Sequence, residues 1–238
     1  MSTITIILIV IGAFIILFVT KFLSKTFKII TKIFVLLIII FVVLTLLVYK
    51  DMGELRRGFV EQNNTFYLYD NNQLYTAVTL KPMTSANLTI DSFTYFTQED
   101  IIKAEEKLNK ENYKDLLLNN YRIFVLKPDI LDKPYTLKLG AELDEKDLLN
   151  IIMSKESFLV LAEKTKSTYN ISIEDLKKSF EEHYGSEEKV RGYLFAALLT
   201  NYFKTQEAGG LVSNVKSNQL KVFPETISFK VIKYLPWI

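Results

Sequence analysis

TITIILIVIGAFIILFVT (residues 3–20) and IFVLLIIIFVVLTLLVY (residues 33–49) carry no charged side chain. At 1.5 Å per residue the two runs reach roughly 27 and 26 Å as helices, close to the hydrocarbon thickness of a bilayer. Both are apolar on every side, as a helix facing lipid must be. A cleaved leader would need a basic segment before the first run and a small-residue cleavage site after it. Here no Lys or Arg precedes the run, Lys21 follows it, and no A-x-A pattern is present. The reading is an N-terminal transmembrane hairpin, with spans at about 3–20 and 33–49 and a basic link at 21–32. In that link Lys21, Lys25, Lys28 and Lys32 share one side of a helix. They are candidates for contact with lipid headgroups, and the bilayer is the first expected partner. Lysine bias places the link in the cytoplasm and residues 51–238 outside the cell membrane. The rival topology keeps both ends in the cytoplasm.

Outward from the hairpin, residues 51–57 read as a connector and 58–238 as one domain, with no repeat or low-complexity tract. The first fifty residues hold five lysines and no acid, which leaves 24 basic against 27 acidic side chains in residues 51–238. An acidic domain argues against nucleic-acid binding, which needs a basic face toward phosphates. The absence of Cys excludes disulfides, thiolate metal sites and a Cys nucleophile; the single His183 excludes multi-His metal sites.

The domain pattern predicts an α+β fold with a mainly antiparallel sheet and several helices. Thr65–Tyr69 and Gln73–Leu80 read as a hairpin around Asp70-Asn71-Asn72. Thr97-x-x-Asp100, Asp144-x-x-Asp147 and Ser172-x-x-Asp175 read as helix starts. Tyr113–Asn119 continues as a second helical stretch; Tyr121–Leu126 and Tyr135–Leu139 read as strands. Residues 157–162 have no decisive period. Gly185 ends one helix and Ser186 opens a longer one, the candidate core helix, over EEKVRGYLFAALLTNYFKT. Residues 220–235 carry the strongest strand pattern, with Ile227, Phe229 and Val231 alternating with Thr226, Ser228 and Lys230.

The chemistry-bearing motifs are missing. There is no phosphate-binding glycine loop, no H-E-x-x-H, no G-x-S-x-G and no EF-hand loop. His183 sits at a helix end, where a cation suits the dipole. The acid pairs Glu105/Glu106, Glu181/Glu182 and Glu187/Glu188, and the group Asp144, Glu145 and Asp147, read as solvated helix faces and caps. Ser154-Lys155 lacks the geometry of a catalytic dyad, because sequence neighbours do not face one another. No catalytic, cofactor-binding or metal-binding residue is assigned, and no cofactor is expected. Tyr67, Tyr69 and Tyr75, together with Thr226, Ser228 and Lys230, are the candidate partner-binding face. The expected function is a membrane-anchored, extracytoplasmic interaction or envelope-structural protein without catalysis, whose partners are other membrane or envelope proteins or a second copy. The alternatives are an accessory subunit of a transport or secretion complex and a hydrolase using carboxylates or Ser.

Overall fold

The computed structural model describes residues 11–16, 25–83, 88–139, 141–169, 171–205, 213–226 and 229–230. The chain divides into two compact units, Met1–Met52 and Gly53–Ile238.

In the first unit, residues 11–16 are helical, and helix α1 (Lys25–Glu61) begins inside the expected basic link. No proline interrupts it, and the Lys, Glu and Arg residues beyond position 49 are good helix formers. Residues 25–32 are therefore helix continuous with the second apolar run where a link between two spans was expected, and 51–57 are helix where a connector was expected. The uncharged stretch inside α1 is the 17 residues between Lys32 and Lys50; of the first expected span, 3–20, only residues 11–16 lie within the described residues. Among the described residues no helix is long and apolar enough to cross a membrane. This corrects the two-span hairpin, and with it the multi-pass membrane placement and the extracytoplasmic assignment that rested on it. Lys25, Lys28 and Lys32 lie on α1, while Lys21 lies outside the described residues. Phe34, Leu37, Phe41 and Leu46 of α1 are each more than half exposed.

The second unit is α+β, built on a mixed, mainly antiparallel sheet. Strands β1 (Asn64–Asp70) and β2 (Gln73–Leu80) form the expected hairpin. Asn71 and Asn72 both have positive φ, the pair of conformations a two-residue turn of this hand requires. β3 is Phe93–Tyr95 and β4 is Arg122–Leu126. A separate two-stranded ribbon pairs β5 (Thr136–Leu139) with β6 (Ala141–Asp144). The last strand is β7 (Leu220–Phe223), and the main sheet runs β3-β2-β1-β4-β7. Only β1 and β4 are parallel; the other pairs are antiparallel.

The alternation of side chains gives each sheet face its own core. Tyr67, Ala77, Ile123 and Val125 point to helices α2 (Gln98–Asn109) and α3 (Tyr113–Leu117), where Ala104, Leu108 and Leu116 meet them. Phe66, Leu68, Val78, Leu80, Phe124 and Leu126 point the other way. They meet α4 (Glu145–Met153), α5 (Ser157–Thr165) and α7 (Glu187–Thr205), with α6 (Ile173–Tyr184) packed outside α5. α7 is the core helix the sequence indicates, and Val190, Leu194 and Phe195 are fully buried. Phe66 stacks on Phe124 at 4.8 Å and meets Phe59, Phe93 and Phe203 edge-on.

The expected caps form. Thr97 accepts from the Asp100 amide, Asp144 from Asp147, and Ser172 from Asp175. Gly185 ends α6 at φ 80°, in the left-handed region. Residues 157–162 resolve as helix: Glu187 on α7 accepts from the Phe158 amide at 3.1 Å, so the start of α5 is capped by a carboxylate distant in sequence.

β2 carries a bulge. Leu68 pairs with Thr76 and Tyr69 with Leu74, so Tyr75 is the extra residue. Glu105 on α2 accepts from the Leu74 amide there at 2.7 Å. Glu105→Ala should cost about 1–3 kcal/mol by leaving that N–H unpaired; urea unfolding checks it, and Glu105→Gln should recover most of the loss.

The C-terminal pattern is a correction. The strand ends at Phe223, and residues 229–230 are helical. Thr226 instead starts a helical turn: its hydroxyl accepts from the Phe229 amide and its carbonyl from the Lys230 amide at 3.1 Å. Pro224 has no N–H to offer a ladder, and its carbonyl accepts from Arg122 Nη1. Phe229 is buried and Lys230 exposed as expected, but from a helical turn; Ile227, Ser228 and Val231 lie outside the described residues.

Candidate functional site

Among the described residues β7 closes one end of the five-stranded sheet and has a neighbour, β4, on one side only. A groove of about 430 Å³ runs along it. Val215, Leu220, Val222 and Phe229 supply apolar wall from the face covered by α7. Tyr113, Val125 and Phe223 supply it from the face covered by α3. Tyr113 and Phe223 stack at 5.8 Å. The groove thus straddles the strand, with side chains of both sheet layers flanking one backbone edge. Its charged lining is Lys221, Lys230 and Glu225. Lys221 also approaches Glu111 at 4.0 Å.

Arg122 lies at the same end of β4. It is 4 % exposed, bonded to the Pro224 carbonyl at 2.5 Å and set over the Tyr121 ring. Its register partner on β1 is Asn64, whose amide nitrogen donates to the carbonyls of Gly58, Phe59 and Gln62. Asn64 therefore ties β1 to the last turn of α1, where the Gly58 carbonyl also accepts from the Gln62 amide at 3.1 Å. The Arg122 Nε and Asn64 Oδ1 atoms are buried and have no hydrogen-bond partner among the described residues.

The residues of the expected partner face are spread apart. Tyr67 is buried under α2 against Phe96, and burial pushes its phenol well above the usual range. Tyr69 is half-buried, and its hydroxyl donates to Asn109 at 2.6 Å. Tyr75 packs on the opposite face, beside the larger core. Thr226 is half-buried in its capping role, Ser228 lies outside the described residues, and Lys230 lines the groove. Of the six, Lys230 alone is placed at the β7 edge by a described contact with the groove.

A second aromatic group forms that the sequence does not reveal. Tyr184 from α6 and Tyr193 from α7 lie 5.7 Å apart, and the Tyr95 ring rests on Gly192, where a Cβ would sit 2.8 Å from it. Burial, then the neighbouring Tyr193, Tyr95 and Tyr169 phenols, push Tyr184 up to about 12. Burial, then Tyr193, also raise Tyr95 and Tyr135. The signal was hidden because these residues come from four separate stretches of chain. A raised pKa favours the neutral phenol in the folded state. Its stabilising contribution is complete below pH 10 and is lost as pH rises through the folded value. Stability should therefore fall between about pH 10 and 12, and Tyr184→Phe should flatten that fall in urea midpoints measured across the range.

The acid pairs serve the fold. Glu106 pairs with Lys110 at 2.6 Å, Glu181 with Lys177 at 3.8 Å, and Asp147 with Lys164 at 2.5 Å. Glu145 accepts from the Tyr135 amide. His183 is exposed and meets the Tyr184 ring edge-on at 4.8 Å. Ser154 accepts from the Glu156 amide, and the Lys155 carbonyl accepts from Arg191. Among the described residues no group of three or more His, Asp or Glu is placed to hold a metal ion.

No protein-family model, curated protein or solved structure matches this chain.

Proposed function

We propose that this chain is a non-catalytic interaction protein whose partner docks at the β7 edge. The observation that carries the reading is a strand with no second neighbour among the described residues, flanked by apolar side chains of both sheet layers. A strand paired on one side offers unused backbone donors and acceptors, and a partner segment that adds there gains main-chain bonds and side-chain pockets together. The groove walls are contributed by core residues, so the site is held by the fold itself. Glu106, Asp147 and Glu181 are engaged in ion pairs and Asp144 in a helix cap.

Selection of random twelve-residue peptides displayed on phage against the full chain tests this. The expected ligands slow hydrogen exchange at the amides of 220–223 and leave β3, at the other sheet end, unchanged. Recovery of no ligand, or of ligands that protect only other segments, would sink the reading.

A further inference from the structure

We infer that the segment taken up at the β7 edge bonds through its main chain to Leu220 and Val222 alone, and carries apolar side chains at three consecutive positions. This rests on the proposed docking at β7 and adds the register and the side-chain chemistry of the occupant. The Gln219 carbonyl accepts from the Lys127 amide at 3.0 Å. The ladder continues with Leu220 opposite Leu126, Lys221 opposite Val125, Val222 opposite Phe124 and Phe223 opposite Ile123. Bonded and unbonded pairs alternate along an antiparallel ladder. Lys221 and Phe223 therefore turn their main-chain groups to β4, and Leu220 and Val222 turn theirs to the other side. Both ends of this short edge are closed. The Gln219 amide donates to the Asn214 carbonyl at 3.0 Å. Pro224 has no N–H, and its carbonyl accepts from Arg122. The N–H and C=O groups of Leu220 and Val222 are what an added strand can bond.

Such a strand, running in either direction, sends successive side chains to opposite faces of the sheet. The two residues on the face of Leu220 and Val222 meet Val215 and Phe229. The residue between them, on the face of Lys221 and Phe223, meets the stacked Tyr113 and Phe223 rings. Both walls are apolar, so a segment that alternates apolar with polar residues fits one of them and sets unpaired polar groups against the other. Charge gives no comparable selection. Lys221 stands 4.0 Å from Glu111, and Lys230 shares the groove with Glu225.

The test uses the full chain and three blocked peptides: Thr-Thr-Ile-Val-Ile-Thr-Thr, the same with Thr in place of the central Val, and the first with its three central amides N-methylated. Titration calorimetry reads affinity, and residue-resolved amide exchange reads the register. The first peptide should slow exchange at the Leu220 and Val222 amides and leave Lys221 and Phe223, already bonded to β4, little changed. Central Thr should weaken binding roughly tenfold, because a buried methyl gives way to a hydroxyl without a partner in the wall. N-methylation should abolish binding. Equal affinity for central Val and Thr, undiminished binding of the N-methylated peptide, or slowing at Lys221 and Phe223 in place of Leu220 and Val222 would overturn the inference and leave docking at β7 standing. No slowing by any peptide at 220–223 would count against both.

Discussion

Phe66→Ala should lower the unfolding free energy by about 3–5 kcal/mol, read as a drop in the urea midpoint at unchanged slope. Phe66 is fully buried in the middle of β1, and four other aromatic rings touch it. Two of them, Phe59 and Phe203, belong to α1 and α7, so the ring joins a helix before the sheet to one far along the chain. Alanine would leave a cavity these rings cannot fill without leaving their edge-on positions. With domain stabilities of ~5–15 kcal/mol the variant sits near the unfolding threshold. Phe66→Leu keeps most of the volume and should lose less than half as much. If the two substitutions cost the same, the loss comes from the ring contacts rather than from the volume buried.

Asn64→Ala should be the next most damaging change, at about 2–3 kcal/mol. The side chain is fully buried and donates to three backbone carbonyls at 2.8–3.3 Å. Two of them, Gly58 and Phe59, lie in the last turn of α1, where intrahelical donors run out, although Gly58 still accepts from the Gln62 amide. Removing the amide leaves them without it in a place where unsatisfied acceptors cost about 1–3 kcal/mol. Asn64→Asp keeps the shape and removes the donor, so it should be no better than alanine. Amide exchange should quicken first at residues 58–62. A loss spread evenly over the domain would mean that Asn64 acts through packing alone.

Much of the second unit was legible because its signals are local. Asp70-Asn71-Asn72 needs positive φ, Thr97, Asp144 and Ser172 satisfy amides three residues ahead, and Gly185 supplies a left-handed C′ position. None of these depends on a distant residue. What stayed hidden is decided across the fold. α5 forms because Glu187, twenty-nine positions beyond Phe158, caps it. The alternation around Phe229 reads as strand, yet Thr226 offers a competing hydroxyl cap after a residue that cannot join a ladder. The extent of α1 was misread because apolar runs are read by composition, whereas helix ends depend on breakers: no proline stands between positions 25 and 61, and Gly53 and Gly58 are accommodated within the helix. The groove was not legible: its walls from Val125 and Val215 depend on pairing no local pattern records.

The bulge at Tyr75 gives the hairpin one place where its length is free to change. From Leu74 to Leu80 every other residue is committed to one of two cores, so losing any of them would push a run of apolar side chains through the sheet. Tyr75 is the residue opposite no partner, and its removal would bring Leu74 and Thr76 into ordinary alternation with Tyr69 and Leu68. In a lineage of such chains, single-residue gaps in this strand would be tolerated there and purged elsewhere. The irregular position of the ladder is thus the one through which its length can drift.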